Sequence, residues 1–114
     1  MTSVLVVDDE DIVRVVAVAM FEEIGFRAFE ASSGQEALEV LKRQPDVALL
    51  FTDCRMPGMS GPELARAAIQ QYPSLKVVLV SGYPDVRDHE PWPLLLKPYE
   101  EADLKRVVDT AIRN

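Results

Sequence analysis

Four short polar stretches in this sequence directly follow apolar runs, and each carries side chains able to do chemistry. Asp8-Asp9 follows Val4-Leu-Val-Val7, and Thr52-Asp53 follows Val47-Ala-Leu-Leu-Phe51. Ser81-Gly82 follows Leu75 to Val80, and Lys97-Pro98 follows Leu94 to Leu96. Brought to one place, they assemble three carboxylates, a hydroxyl and an ammonium. Grouped carboxylates bind a hard cation such as Mg2+ or Mn2+, and Mg2+ favours one or two carboxylates plus waters and phosphate oxygens. A third carboxylate is then a nucleophile toward phosphorus, as aspartyl-phosphate chemistry requires. The charge on a transferring phosphoryl group needs neutralising, and the cation, Lys97 and the Ser81 hydroxyl are suited to that. Gly82 lacks a side chain and leaves a path for a donor. Asp8, Asp9, Glu10 and Asp11 form a run of four acids. Such a run repels itself unless a helix N-terminus, a lysine or a divalent cation compensates.

These residues share a rim only if the apolar runs are strands of one sheet. Val4 to Val7 is β-branched and reads as a strand buried on both faces. Asp11 to Ile24 has a helical period closed by Gly25. Phe26 to Ala31 is a second strand. Ser33-Gly-Gln-Glu36 is a capping box opening a helix to about Arg43. Val47 to Phe51 is the third strand, and Ser60-Gly-Pro-Glu63 is a second capping box, with Pro62 in the first turn of a helix to about Tyr72. Leu75 to Val80 and Leu94 to Leu96 are strands four and five, and Glu100 to Ile112 is the last helix. Short loops between alternating strands and helices specify a parallel sheet covered on both faces. In open sheets of this kind the site lies outside the carboxyl ends of the strands. Pro84, Pro91 and Pro93 leave Asp85 to Glu90 at most a short fourth helix.

Composition narrows the classes. The chain has 114 residues, 48% hydrophobic and 27% charged, which is enough for one domain with a real core. Its 12 basic residues against 19 acidic ones leave a net charge of −7. That sign opposes binding to nucleic-acid phosphates. The longest uncharged apolar run, Val15 to Phe21, is too short to span a bilayer, and the N-terminus has no signal-peptide pattern. The single cysteine, Cys54, cannot form an internal disulfide. The expectation is one cytoplasmic domain over 1–114, with no membrane partner and no output domain after Asn114. His89 lacks a second ligand at metal spacing and reads as surface or loop.

The segments Val4-Leu-Val-Val-Asp-Asp-Glu10, Leu50-Phe-Thr-Asp-Cys-Arg-Met-Pro-Gly58, Val78-Leu-Val-Ser-Gly82 and Leu96-Lys-Pro98 together resemble the receiver domain of two-component response regulators. The resemblance covers essentially the whole chain. It implies a flavodoxin-like (βα)5 fold with strand order 2-1-3-4-5 and, here, a fourth helix that is short or disordered. It implies that Asp53 is the phosphoacceptor and that Asp8, Asp9 and Asp53, with the main-chain carbonyl of Arg55, hold Mg2+. Ser81 matches the residue that hydrogen-bonds the phosphoryl group, and Lys97 the lysine that pairs with it. Pro98 matches a proline whose preceding peptide bond is typically cis. The implied donor is a phosphohistidine of a histidine kinase or a phosphotransfer protein. Output would come through a downstream protein target or onward phosphate transfer, without a turnover substrate. A haloacid-dehalogenase-type phosphatase would need a second acid where Arg55 stands. A binding module that is never phosphorylated would have lost part of the set that this chain keeps.

Two departures from the family bear on switching. Receivers commonly carry Tyr or Phe three residues before the lysine, and this position is Leu94. Ser81-Gly82-Tyr83 looks like receivers attached to hybrid kinases, and like single-domain regulators that lack the aromatic switch. The expectation is that Tyr83 and the segment Pro84 to Glu90 reorder on phosphorylation. In the first helix, Val13, Val16, Ala17, Met20 and Ile24 are expected to face the sheet. That places Ile12, Val15, Val18 and Ala19 on another face, packed by the last helix or open for a docking partner. Arg55 and Tyr83, two residues after Asp53 and Ser81, are placed to shield a phosphoryl group.

Overall fold

The computed structural model describes residues 1–83, 89 and 91–113. Five parallel strands, β1 (Ser3–Val7), β2 (Arg27–Ala31), β3 (Leu49–Asp53), β4 (Lys76–Ser81) and β5 (Leu94–Leu96), form one sheet in the order β2-β1-β3-β4-β5. The expected α/β fold and strand order are therefore those observed. Four helices are present among the described residues: α1 (Asp11–Glu23), α2 (Gly34–Arg43), α3 (Gly61–Gln71) and α4 (Glu101–Arg113). The short helix expected over Asp85 to Glu90, and the Pro84 to Glu90 switch segment, lie outside the described residues apart from His89.

Strand alternation divides the core into two layers. Leu5, Val7, Leu50, Val77 and Leu79 pack with Ala37, Leu41 and Leu64 of α2 and α3 on the upper face, the lower layer being its counterpart across the sheet. Val4, Val6, Leu49, Phe51, Val78 and Val80 pack with Ala17, Phe21, Leu104 and Val108 of α1 and α4 on the other. Phe21 is fully buried, and its ring meets Phe26 and Phe51 edge-on at 5.3 and 4.9 Å. Phe51 meets Tyr99 in the same manner at 6.1 Å, so the lower layer reaches the loop after β5.

Several local expectations shift. The third strand starts at Leu49 rather than Val47, because its register with β1 pairs Leu49 with Val4, while the Val47 amide instead donates to the Gln44 carbonyl. The second strand starts at Arg27, since the Phe26 amide is taken by the Phe21 carbonyl. Strand four and the last helix each run one residue later than expected. The Ser60 capping box is complete. Ser33 forms only half of one: its hydroxyl accepts from the Glu36 amide, but the Glu36 carboxylate turns to the amide of Ser32. The buried stripe of α1 is also rotated. Val16 is 49% exposed, whereas Val18 packs on the lower layer. The cause is Phe21, which lies four residues beyond Ala17 and turns the stripe by roughly 40° toward Val18.

Candidate functional site

The sheet register collects the polar strand ends as expected. Asp8 continues β1 by one residue, its amide donating to the Ala31 carbonyl at 3.2 Å. Asp53 is the last residue of β3, and the next amide, of Cys54, donates to Val80 in β4 at 2.8 Å. The Lys97 amide donates to the Ser81 carbonyl at 2.8 Å, which carries the lysine to the same rim. The peptide bond between Lys97 and Pro98 is cis.

Side chains converge there. Lys97 Nζ lies 3.1 Å from Asp53 Oδ1 and 3.4 Å from Asp8 Oδ2. Asp8 and Asp53 are buried, and Asp9 is exposed. One carboxylate oxygen from each of the three lies within 4.8 Å of the others. All are hard oxygen donors, so the set fits Mg2+ or Mn2+. A cavity of about 440 Å3 opens above, lined by Asp9, Glu10, Asp53, Arg55, Ser81, Gly82, Tyr83 and Lys97. A Cβ at Gly82 would meet no atom within 4 Å, so this side of the cavity is open.

Electrostatics follow from burial and crowding. Burial pushes the Asp53 carboxyl above its ordinary value; Lys97 opposes that, and Asp8 and Asp9 add to it. Burial alone would lower Lys97, but the charge and hydrogen bond of Asp53, helped by Asp8, carry it above its ordinary value. The lysine is therefore firmly charged, and its one ammonium is shared by two of the three carboxylates, Asp8 and Asp53. The excess negative charge is what a divalent cation would relieve.

The remaining expected residues divide. Ser81 is buried at the rim, and its Oγ accepts from the Tyr83 amide at 3.0 Å. Tyr83 is half exposed, and the Arg55 guanidinium sits 3.9 Å from its ring centroid. Leu94 is not at the site: it pairs with Leu79 and packs on the upper layer, as Trp92 also does. Ile12, Val15 and Ala19 are exposed, whereas Val18 leaves the proposed patch for the core. Val16 takes its place, and with Ile12, Val13, Met20, Pro98 and Tyr99 it lines an apolar groove of about 280 Å3 that also touches Lys97. His89 Nδ1 lies 3.0 Å from the Trp92 carbonyl oxygen, in a turn. Cys54 is buried in the upper layer.

Arg14 is the bracing residue beside the site that the sequence reading missed. Its guanidinium donates to the main-chain carbonyl of Asp8, to Glu30 and to Asp11, each at 2.8 Å. It thus holds the end of β1 against β2 and the first turn of α1. Glu30 first, and Asp11 after it, raise the Arg14 pKa against the opposing effect of burial. The Asp11–Arg14 spacing of three on a helix was the available signal. Because Asp11 and Glu30 are exposed, Arg14→Met is expected to cost about 1–2 kcal/mol. Urea unfolding measures that loss, and a mid-point equal to wild type contradicts the role.

A family model described as response regulator receiver domain matches residues 4–109. The sensor kinase CckA of Brucella abortus (strain 2308) is 40% identical over 82 residues, which is 71% of this chain and 9% of the kinase. The response regulator receiver protein CpdR of the same organism is 31% identical over 96% of this chain and 95% of its own length. The chain thus spans nearly all of one of these relatives and a small part of the other. A response regulator receiver domain protein from Clostridium thermocellum superposes with a TM-score of 0.91 at 26% identity, covering 99% of this chain and 95% of that one.

Proposed function

This chain belongs to the response regulator receiver domain family of two-component signalling, and from that premise we propose that Asp53 accepts a phosphoryl group from a phosphohistidine donor. The observation that carries the reading is the convergence of Asp8, Asp9, Asp53 and Lys97 at one rim, with Lys97 Nζ 3.1 Å from the carboxylate that would react. An Asp53 oxygen attacks phosphorus; the new P–O bond forms as the P–N bond to the donor imidazole breaks, and the imidazole nitrogen keeps that electron pair. Lys97 stays protonated throughout and meets the oxygens that gain charge. The Ser81 hydroxyl faces the same cavity and donates to the phosphoryl group once it releases the Tyr83 carbonyl. Asp8 and Asp9, with the Arg55 carbonyl, would hold Mg2+, which supplies charge neutralisation to the transferring group.

The donor would be a histidine kinase or a histidine phosphotransfer protein. The apolar groove between α1 and the loop after β5 supports that reading, since it adjoins Lys97 and presents Ile12 at 82% exposure. No helix among the described residues is long and apolar enough to cross a membrane. With the acidic charge, this supports action by protein contact in the cytoplasm, without nucleic acid.

The test is intact-mass spectrometry after incubation with acetyl phosphate. A single phosphoryl gain that requires Mg2+ is expected. No gain from acetyl phosphate, and none from a phosphorylated histidine phosphotransfer protein, overturns the reading. Mg2+ by itself is expected to raise the melting temperature of the wild type, by mass action on the folded state, and Asp9→Asn is expected to reduce that rise.

A further inference from the structure

The main chain of Arg55 enters the reading above, but its side chain has no part in the transfer. That side chain lies over the ring of Tyr83, 3.9 Å from the centroid. Both residues line the cavity that Asp53 and Lys97 open into. Tyr83 has a second tie: its amide donates to Ser81 Oγ at 3.0 Å, and that oxygen lies 3.3 Å from the Tyr83 carbonyl oxygen. Both attachments of Tyr83 therefore run to groups facing the space that a phosphoryl group on Asp53 would occupy.

The two partners open to Arg55 differ in strength. A phenol ring attracts a guanidinium through its quadrupole. A phosphoryl dianion attracts it as a full ion and offers oxygens that match the guanidinium fork. Arg55 is exposed, so its stem is unhindered by core packing. We infer that Arg55 is a mobile counter-ion, stacked on Tyr83 in the unphosphorylated protein and drawn to the phosphoryl group on Asp53, with release of Tyr83 as the consequence. The inference rests on the phosphoacceptor reading. It gives this chain a switch at the rim in place of an aromatic residue at Leu94.

The probe is Mg2+ with beryllofluoride, a stand-in for the phosphoryl group, titrated into the 114-residue chain. Fluorine NMR reads the bound analogue, and proton NMR reads the Tyr83 ring, assigned with Tyr83→Leu. At saturation the Tyr83 ring signals are expected to move toward those of the analogue-free Arg55→Gln variant, which keeps the main-chain carbonyl. Arg55→Gln is expected to weaken analogue binding about tenfold, the loss of one charge-assisted partner. Tyr83→Leu is expected to tighten it about threefold, because the ring no longer competes for the guanidinium. That gain should vanish in the Arg55→Gln background. A merely structural Tyr83 would instead weaken binding when removed. Bound fluoride with unmoved Tyr83 signals, or weaker binding by Tyr83→Leu, overturns the counter-ion switch alone. Absence of any bound fluoride signal overturns the phosphoacceptor reading and the switch with it.

Discussion

Asp53→Asn is expected to abolish the Mg2+-dependent phosphoryl gain completely while the protein stays folded. Asparagine keeps the shape of the side chain but loses the anionic oxygen that attacks phosphorus. No neighbour substitutes for it: Asp8 already accepts from the Glu10 amide and faces Lys97, and Asp9 is exposed at the rim. Lys97 keeps Asp8 as a partner, so the variant leaves no stranded charge. Stability separates this variant from a misfolded one. Burial is the main reason the Asp53 carboxyl titrates above its ordinary value. The folded state therefore binds that proton more tightly than the unfolded chain does. Its stabilising contribution is full below the unfolded carboxyl pKa and is lost as pH rises through the raised folded value. In metal-free buffer, Asp53 should contribute a fall in stability as pH rises across that acidic window, and Asp53→Asn should lack that contribution. Urea unfolding at a series of pH values reads the slope. An unfolded Asp53→Asn protein, or one that still gains phosphate, contradicts the assignment.

Gly61→Ala is expected to be the most damaging single-methyl change at the site, costing about 3 kcal/mol. Gly61 opens α3 directly beneath β3, and its amide donates to the Cys54 carbonyl at 3.0 Å. A Cβ there would overlap the Asp53 carbonyl oxygen and stand 3.0 Å from the Cys54 Cα. Both are backbone atoms, so no rotamer relieves the contact. Either α3 withdraws or the end of β3 moves, and the second displaces the Asp53 carboxylate from Lys97. A fall in melting temperature of about 10 °C follows for a domain of this size. Gly82→Ala is the control: a Cβ there meets nothing within 4 Å, and its stability should match wild type within about 0.5 kcal/mol. Thermal melts of the two variants decide the matter. Equal melting temperatures would show that the α3–β3 contact is not a constraint.

The strands, their order of appearance and the polar residues that end them were legible in the chain because each signal is local. Apolar runs need burial on both faces, and the acids, Ser81 and Lys97 interrupt them at the same end of each strand. Ser60 to Glu63 announced its cap for the same reason, since all of its bonds lie within one turn. The half-formed Ser33 cap failed locally, the Glu36 carboxylate turning to the Ser32 amide, whereas the larger shifts were set by neighbours outside each element. Val16 and Val18 exchanged environments because Phe21 is held by Phe26 and Phe51, and no helical period within α1 carries that information. The start of β3 moved because β1 chose its partner. The tight seat of Gly61 under Asp53, the grip of Arg14 on the Asp8 carbonyl, and the Arg55–Tyr83 stack each join segments brought together by the sheet. The chain by itself determined which groups stand at the carboxyl ends of the strands, and hence the chemistry on offer. Only the folded sheet decided the distances between those groups and which side chains brace them, because register and helix phase are settled by long-range packing.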